Sequence, residues 1–390
     1  MVRTGLDNFE RQVIPMINKK KTGVLSHASS INREYNHIID IIHKHEMTTL
    51  AAVFGPQHGL FGQTQDNMIE WEGFIHPELE VPVYSLYGKT RIPTVDMLEG
   101  IEIFIVDLQD VGTRPYTYVW TMKHCLESCA KKEIPVVLID RPNPLGGIKR
   151  DGAILKRQYY TFVGGAEIPL CHGMTMGEMA LWINEKEDIN CHLHIIKMEG
   201  WKRQMVWEDT GLPWVLPSPN MPATSTAKVY PGMVLAEALN ISEARGTTLP
   251  FELCGAPFLD IGLIINELKK MKIPGCAFRE HNFIPTFHKF KDEYCRGLQI
   301  YITDYNLYEP VYTAACIFKK INDISGQLLF KNPPYEYEEA LMPFDILSGD
   351  SMLRHVITDN GSLNHERERW NSDINEFNNE VKEYLLYSNQ

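Results

Sequence analysis

No apolar run in this 390-residue chain approaches the ~20 residues that a membrane-spanning helix needs. That excludes an ordinary helical membrane protein. Positive charge is in deficit as well. The 38 basic residues against 50 acidic ones leave a formal charge of -12, which argues against nucleic acid or an anionic membrane surface as the main partner. The eight cysteines are scattered, with no Cys-x-x-Cys among them. A chain of this length does not need them as staples, so reduced, mostly buried thiols are expected. No Gly-x-Gly-x-x-Gly turn follows the first strand, and no Gly-x-x-x-x-Gly-Lys-Ser/Thr occurs anywhere. A dinucleotide or P-loop cofactor is therefore not expected, nor any other cofactor. His192 and His194 share one strand face without a third ligand, so no metal site is expected either. The first ten residues show no apolar core after Arg3, so no secretory leader is read there and a cytoplasmic location is the expectation. Internal repeats and low-complexity tracts are missing too.

What is present is an alternation of short apolar strands and helical segments. Residues 21–30, 48–55, 81–88, 101–109 and 134–140 read as strands; 38–45 and 117–131 have helical spacing. Such alternation predicts parallel βαβ units and an α/β, doubly wound sheet. We place this first domain at residues 1–163 and a second α/β domain at 164–390, since the length exceeds one ordinary core. The second half reads as helices at 176–187, 231–239, 259–271 and 310–324, strands at 191–198, 278–290 and 298–304, and an amphipathic tail helix at 366–387. Between them, the segment from Trp214 to Pro222 carries three prolines in nine residues and must be stiff and extended.

Polar residues gather where the first-half strands end: Ser26 and His27, Gln57 and His58, Tyr84 and Ser85, Asp107 to Asp110, Asp140 to Asn143. Ligands of open α/β sheets sit outside the carboxyl ends of the strands, so a shared cleft is expected there. The densest of these ends is Asp107-Leu-Gln-Asp-Val-Gly-Thr-Arg-Pro-Tyr-Thr-Tyr118. A plainer reading is that its Asp and Arg residues pair with each other and cap the following helix.

That phrase resembles one family, together with Asp140-Arg-Pro-Asn-Pro144, Ile168-Pro-Leu-Cys-His-Gly-Met-Thr-Met-Gly-Glu178, Pro217-Ser-Pro-Asn-Met-Pro222 and Ala244-Arg-Gly-Thr-Thr248. It is the exo-β-N-acetylmuramidase family typified by NamZ, and the resemblance runs over roughly residues 20–390. It implies a Rossmann-like N-terminal domain, a smaller α/β C-terminal domain and a cleft between them. It further implies exo-hydrolysis of β-1,4-linked N-acetylmuramic acid from the non-reducing ends of peptidoglycan fragments, with an amino-sugar or muropeptide ligand. One departure stands out. The family's Pro-Glu-His-Gly, whose Glu is its candidate acid, reads Pro56-Gln57-His58-Gly59 here. An amide neither gives nor takes a proton near neutral pH. A catalytically silent or altered-specificity sugar-binding homologue is therefore the alternative.

Glycoside hydrolysis ordinarily uses two carboxyl groups, one of them protonated; a 2-acetamido substrate can supply its own nucleophile. The candidate catalytic groups are Asp66 and Glu70, four apart and on one side of a helical turn if one forms, Asp107 and Asp110 at the strand end, and His58 as a proton relay. Arg114, Arg141 and Arg245 are candidates to hold a lactyl carboxylate through a guanidinium fork. Gln57, Gln109, Tyr116, Asn143, His172, Ser218 and Asn220 complete the expected binding set.

Overall fold

A computed structural model of the chain describes residues 1–66, 68–359 and 361–389. Six strands form the first part of its central sheet: β1 (Lys21–Ser26), β2 (Thr49–Gly55), β3 (Phe74–Ile75), β4 (Pro82–Ser85), β5 (Ile103–Asp107) and β6 (Val136–Ile139). Two further strands, β7 (Asp151–Ile154) and β8 (Pro169–Cys171), pair antiparallel outside it. The seventh member is β9 (Leu193–Ile196), which pairs parallel with β6. The order is β3-β4-β2-β1-β5-β6-β9, and β3 alone among these runs antiparallel to its neighbour. The sheet thus extends past residue 163, and its edge does not coincide with the division expected from the sequence. β9 is short and only half buried, so its pattern alone does not show which sheet it joins.

Residue alternation explains why the strands read as unbroken apolar runs. Ile103 and Ile105 of β5 face one layer, with Leu6, Phe9, Ile38 and Ile42. Phe104 and Val106 face the other, with Trp120, Leu126 and Trp182. Both sides are covered, so neither needs polar residues. Each such side chain contributes about 1.5–3 kcal/mol when fully buried.

From β1 the chain moves outward through β2 to β4, then returns to β5 on the other side of β1. The carboxyl ends of β1 and β5, where Ser26 lies opposite Asp107, therefore form the switch point at which a crevice opens in such sheets.

The second half carries a three-stranded antiparallel sheet, β10 (Leu253–Ala256) and β11 (Cys276–Glu280) flanking β12 (Arg296–Ile302). Strand β11 stops at Glu280, well short of the expected residue 290. The helix expected from Pro231 instead starts at Thr224 and carries Pro231 inside it, ending at Met233; a 3-10 turn, Val234–Ala238, continues it. At Gly232 a Cβ would stand 2.0 Å from the Pro310 carbonyl oxygen. The missing side chain is what lets this helix lie against the helix Pro310–Ser325. The tail forms a helix at Leu363–Glu380 and a 3-10 turn at Val381–Tyr384.

Candidate active site

A narrow cavity opens where loops following β2 and β5 meet loops of the second half. From the first half, Gln57 and His58 follow β2, and Pro115 to Tyr118 lead into the helix Tyr118–Lys131. Ser218, Asn220 and Met221 come from the proline-rich segment. The second half adds Tyr230, Glu237, Arg245, Phe251, Tyr335 and Glu336.

One wall is aromatic. Tyr116 packs edge-on to Tyr118 with centroids 4.6 Å apart and to Tyr230 at 6.2 Å; Tyr230 packs on Phe251 at 4.8 Å. Such a surface suits the apolar face of a sugar ring. Burial raises the pKa of Tyr116, Tyr118 and Tyr230 well above the ordinary phenol value, so their hydroxyls remain donors.

The polar wall holds two buried carboxyl groups that the sequence reading did not single out. Glu237 accepts from Tyr335 Oη at 2.7 Å and from Arg245 Nη2 at 2.5 Å. Arg245 is gripped on its other side by Glu243 at 3.5 Å. Burial lowers the Arg245 pKa, but Glu237 and Glu243 outweigh it and the net shift is upward. Arg245 projects from the turn Ala244-Arg245-Gly246, where Gly246 has φ +81° and a Cβ would meet the Phe287 and Thr286 nitrogens at 2.8 Å.

Glu336 accepts from Tyr87 Oη at 2.8 Å through one oxygen, Oε2. Burial raises its pKa from 4.5 to about 7; the Tyr87 hydrogen bond opposes this and the charge of Glu237 adds to it. Glu336, His58 and Phe251 all have left-handed backbones, with φ 45°, 71° and 63°. Each costs about 1–3 kcal/mol for a residue with a side chain, and strain of this kind collects at functional sites.

Among the residues expected from sequence, Gln57, His58, Tyr116, Ser218, Asn220 and Arg245 line the cavity. Gln57 Oε1 accepts from Thr117 Oγ1 at 2.7 Å. His58 Nδ1 lies 2.7 Å from the Thr64 carbonyl. A carbonyl only accepts, so Nδ1 carries the proton and Nε2 of the neutral ring is an acceptor. Burial, aided by the charge of Arg245, brings the ring's pKa down to about 4 against that bond to Thr64. Asn220 Nδ2 donates to the Gln65 carbonyl at 2.7 Å, which ties the proline-rich segment to the loop after β2.

The others are placed differently. Asp107 and Arg141 face each other as a fully buried bidentate pair at 2.5 and 2.8 Å, and Arg141 also donates to the Ile31 carbonyl. Arg114 is entirely buried; it donates to the carbonyls of Ala153, Ile168 and Leu347 at 2.8–2.9 Å and so ties distant segments together. Its burial lowers its pKa to about 9. Neither guanidinium lines the cavity; of the three arginines weighed as a grip for a ligand carboxylate, Arg245 is the one that does. Asp110 accepts from Gly112 N at 2.6 Å and lies 3.1 Å from His172 Nε2, while His172 Nδ1 accepts from Met174 N. Gln109 donates to the Asp110 and Pro142 carbonyls, and Asn143 to the Met174 carbonyl. These four hold the strand-end loops behind the cavity. Among the described residues, neither Asp66 nor Glu70 lies in a helix. Glu70 is exposed, bonded to Tyr337 Oη at 2.9 Å and near Arg91 at 3.5 Å. Among the described residues, no group of three or more His, Cys, Asp or Glu side chains is placed to hold a metal ion, and no helix is long and apolar enough to cross a membrane.

The fold and site define a two-part α/β protein with a cavity at the carboxyl edge of its parallel sheet, completed by its second half. Residues 22–225 match the family description "Exo-beta-N-acetylmuramidase NamZ, N-terminal" and residues 228–387 its C-terminal counterpart. The chain is 39% identical over 387 residues to the peptidoglycan β-N-acetylmuramidase NamZ of Bacillus subtilis, covering 99% of this chain and 91% of that one. Crystal structures of two DUF1343 family proteins from Bacteroides fragilis superpose with TM-scores of 0.88 and 0.79. They are 30% and 27% identical to this chain; the first covers 99% of both chains and the second 100%. The chain belongs to the NamZ exo-β-N-acetylmuramidase family.

Proposed function

We propose that this protein is a glycosidase that releases N-acetylmuramic acid, or a closely related 2-acetamido sugar, from the non-reducing ends of peptidoglycan fragments. One observation carries the reading: a single cavity sets an aromatic wall against two buried carboxyl groups, in a chain of this family. The aromatic face orients a sugar ring and the carboxyl groups supply the proton chemistry that cleaving a glycosidic bond needs. Arg245 is the cation left at the cavity for an acidic sugar. His58 offers a neutral acceptor and Asn220 a rigidly held amide.

The test is release of free sugar from a synthetic muramyl-β-1,4-glucosamine disaccharide. Turnover is expected between pH 5 and 7, and its absence over a wide pH range would sink the proposal. A sugar-binding homologue without turnover is favoured by one observation only, the amide at Gln57. On that reading the disaccharide binds uncleaved and Gln57→Glu creates activity. We place the protein's work inside the cell, on imported fragments, a reading supported by eight free thiols, seven of them buried. Fractionation that finds the protein outside the cytoplasm would contradict it.

A further inference from the structure

Which group delivers the proton is not fixed by family membership, and the loop after β2 offers the amide of Gln57 and an imidazole. We propose that Glu336, brought to the cavity by a loop of the second half, is the catalytic acid of this chain, with Glu237 as the charge facing it. This deepens the glycosidase reading and rests on it.

Four features point to Glu336. It lines the cavity and is only 4% exposed. Tyr87 Oη holds Oε2, and no donor among the described residues reaches Oε1. That leaves one oxygen for a substrate. The backbone is left-handed at Glu336 and again at Tyr337 (φ 45° and 69°), so the chain is bent to deliver this side chain. Finally, Glu237 stands in the same cavity, fixed by Arg245 and Tyr335. Its charge, added to burial, favours the protonated form of Glu336 at neutral pH. The other carboxylates weighed from the sequence do not share this setting. Asp107 is paired bidentately with Arg141, and Glu70 is exposed at the Tyr337 hydroxyl.

The step balances with water alone. The bond between the anomeric carbon and the glycosidic oxygen breaks as that oxygen takes the Glu336 proton, and the remaining chain leaves as an alcohol. Glu237 lies close to the positive charge that develops on the sugar. Water then bonds to the anomeric carbon, and the proton it sheds restores the Glu336 carboxylic acid.

Two substrates separate this role from a structural one: the muramyl disaccharide, whose leaving alcohol needs a proton, and a nitrophenyl β-muramide, whose leaving group does not. Glu336→Gln is expected to slow the disaccharide by about 10²- to 10⁴-fold while leaving the first turnover of the aryl glycoside largely intact. Wild-type kcat/KM on the disaccharide should fall as pH rises past about 7, and the aryl reaction of the variant should lack that fall. Equal activity of wild type and Glu336→Gln on the disaccharide overturns the assignment. If Glu336→Gln fails to fold, Tyr87→Phe decides: removing the hydrogen bond that lowers the Glu336 pKa must move the alkaline limb to higher pH, and an unmoved limb overturns the proposal. Inactivity of the wild type on both substrates would instead refute the glycosidase reading itself.

Discussion

Replacing Glu336 by Gln exchanges a buried acid for a neutral amide of nearly the same shape, and its effect on stability follows from where the acid titrates. In the fold its pKa is raised from 4.5 to about 7. Below about pH 4.5 the group is protonated whether the chain is folded or not, and burial carries no ionic penalty. Between those values the folded protein keeps a proton that the unfolded chain releases. Above about 7 the carboxylate is ionised in both states and the fold bears the full cost. The raised pKa is thus a stability advantage present at low pH and lost as pH rises through the folded value. A shift from 4.5 to about 7 corresponds to roughly 3 kcal/mol at about 1.4 kcal/mol per unit. Wild type should therefore lose about 2–3 kcal/mol relative to Glu336→Gln between pH 4.5 and pH 8.5, since the other titrating groups are common to both proteins. Urea unfolding midpoints of the pair at the two pH values measure this directly. A stability difference that stays constant with pH would refute the environment assigned to Glu336.

Breaking the Asp107–Arg141 pair by Asp107→Asn leaves a buried guanidinium without its partner and should cost about 3–5 kcal/mol, read as a lowered urea midpoint. If folding is instead undisturbed and only turnover is lost, Asp107 belongs to the chemistry after all. Arg114→Met strips three buried carbonyls of their donors and should destabilise by roughly 3 kcal/mol or more at about 1–3 kcal/mol each; a change under about 1 kcal/mol by the same assay would contradict its role as a tie. His58, with its pKa brought down to about 4, should stay neutral from pH 5 upward, so its NMR ring signals should not titrate between pH 5.5 and 8. A midpoint inside that window would remove it as a neutral acceptor.

The central sheet was legible because its strands announce themselves: apolar runs such as Ile103 to Val106, buried on both faces, each ending in polar residues. The cleft at their carboxyl edge was legible for the same reason, and it drew attention to Gln57, His58 and Tyr116, which line the cavity. The strand-end charges are placed otherwise. Burial gives each a partner inside the protein, but Asp107 pairs with Arg141 and Arg114 donates to backbone carbonyls, so the pairing of Asp with Arg inside the 107–118 phrase that the plainer reading expected does not form. Glu237 and Glu336 were overlooked. Glu237 sits in Val234–Ala238, an apolar stretch that reads as a helix face, and Glu336 in Pro-Pro-Tyr-Glu-Tyr-Glu-Glu, which reads as an exposed acidic loop. Contacts remote in sequence, from Tyr335 and Arg245 to Glu237 and from Tyr87 to Glu336, hold them in the cavity, and no local pattern encodes such contacts. The one available signal was the density of tyrosines around Glu336, a poor match for a solvated loop.

The most direct measurement is a crystal structure of Glu336→Gln soaked with the uncleaved muramyl disaccharide. The sugar should lie against Tyr116 and Tyr230, with its glycosidic oxygen within hydrogen-bond reach of the residue 336 side chain. A disaccharide bound elsewhere, or bound with that oxygen facing the loop of Asp66 and Glu70 instead, would contradict the account.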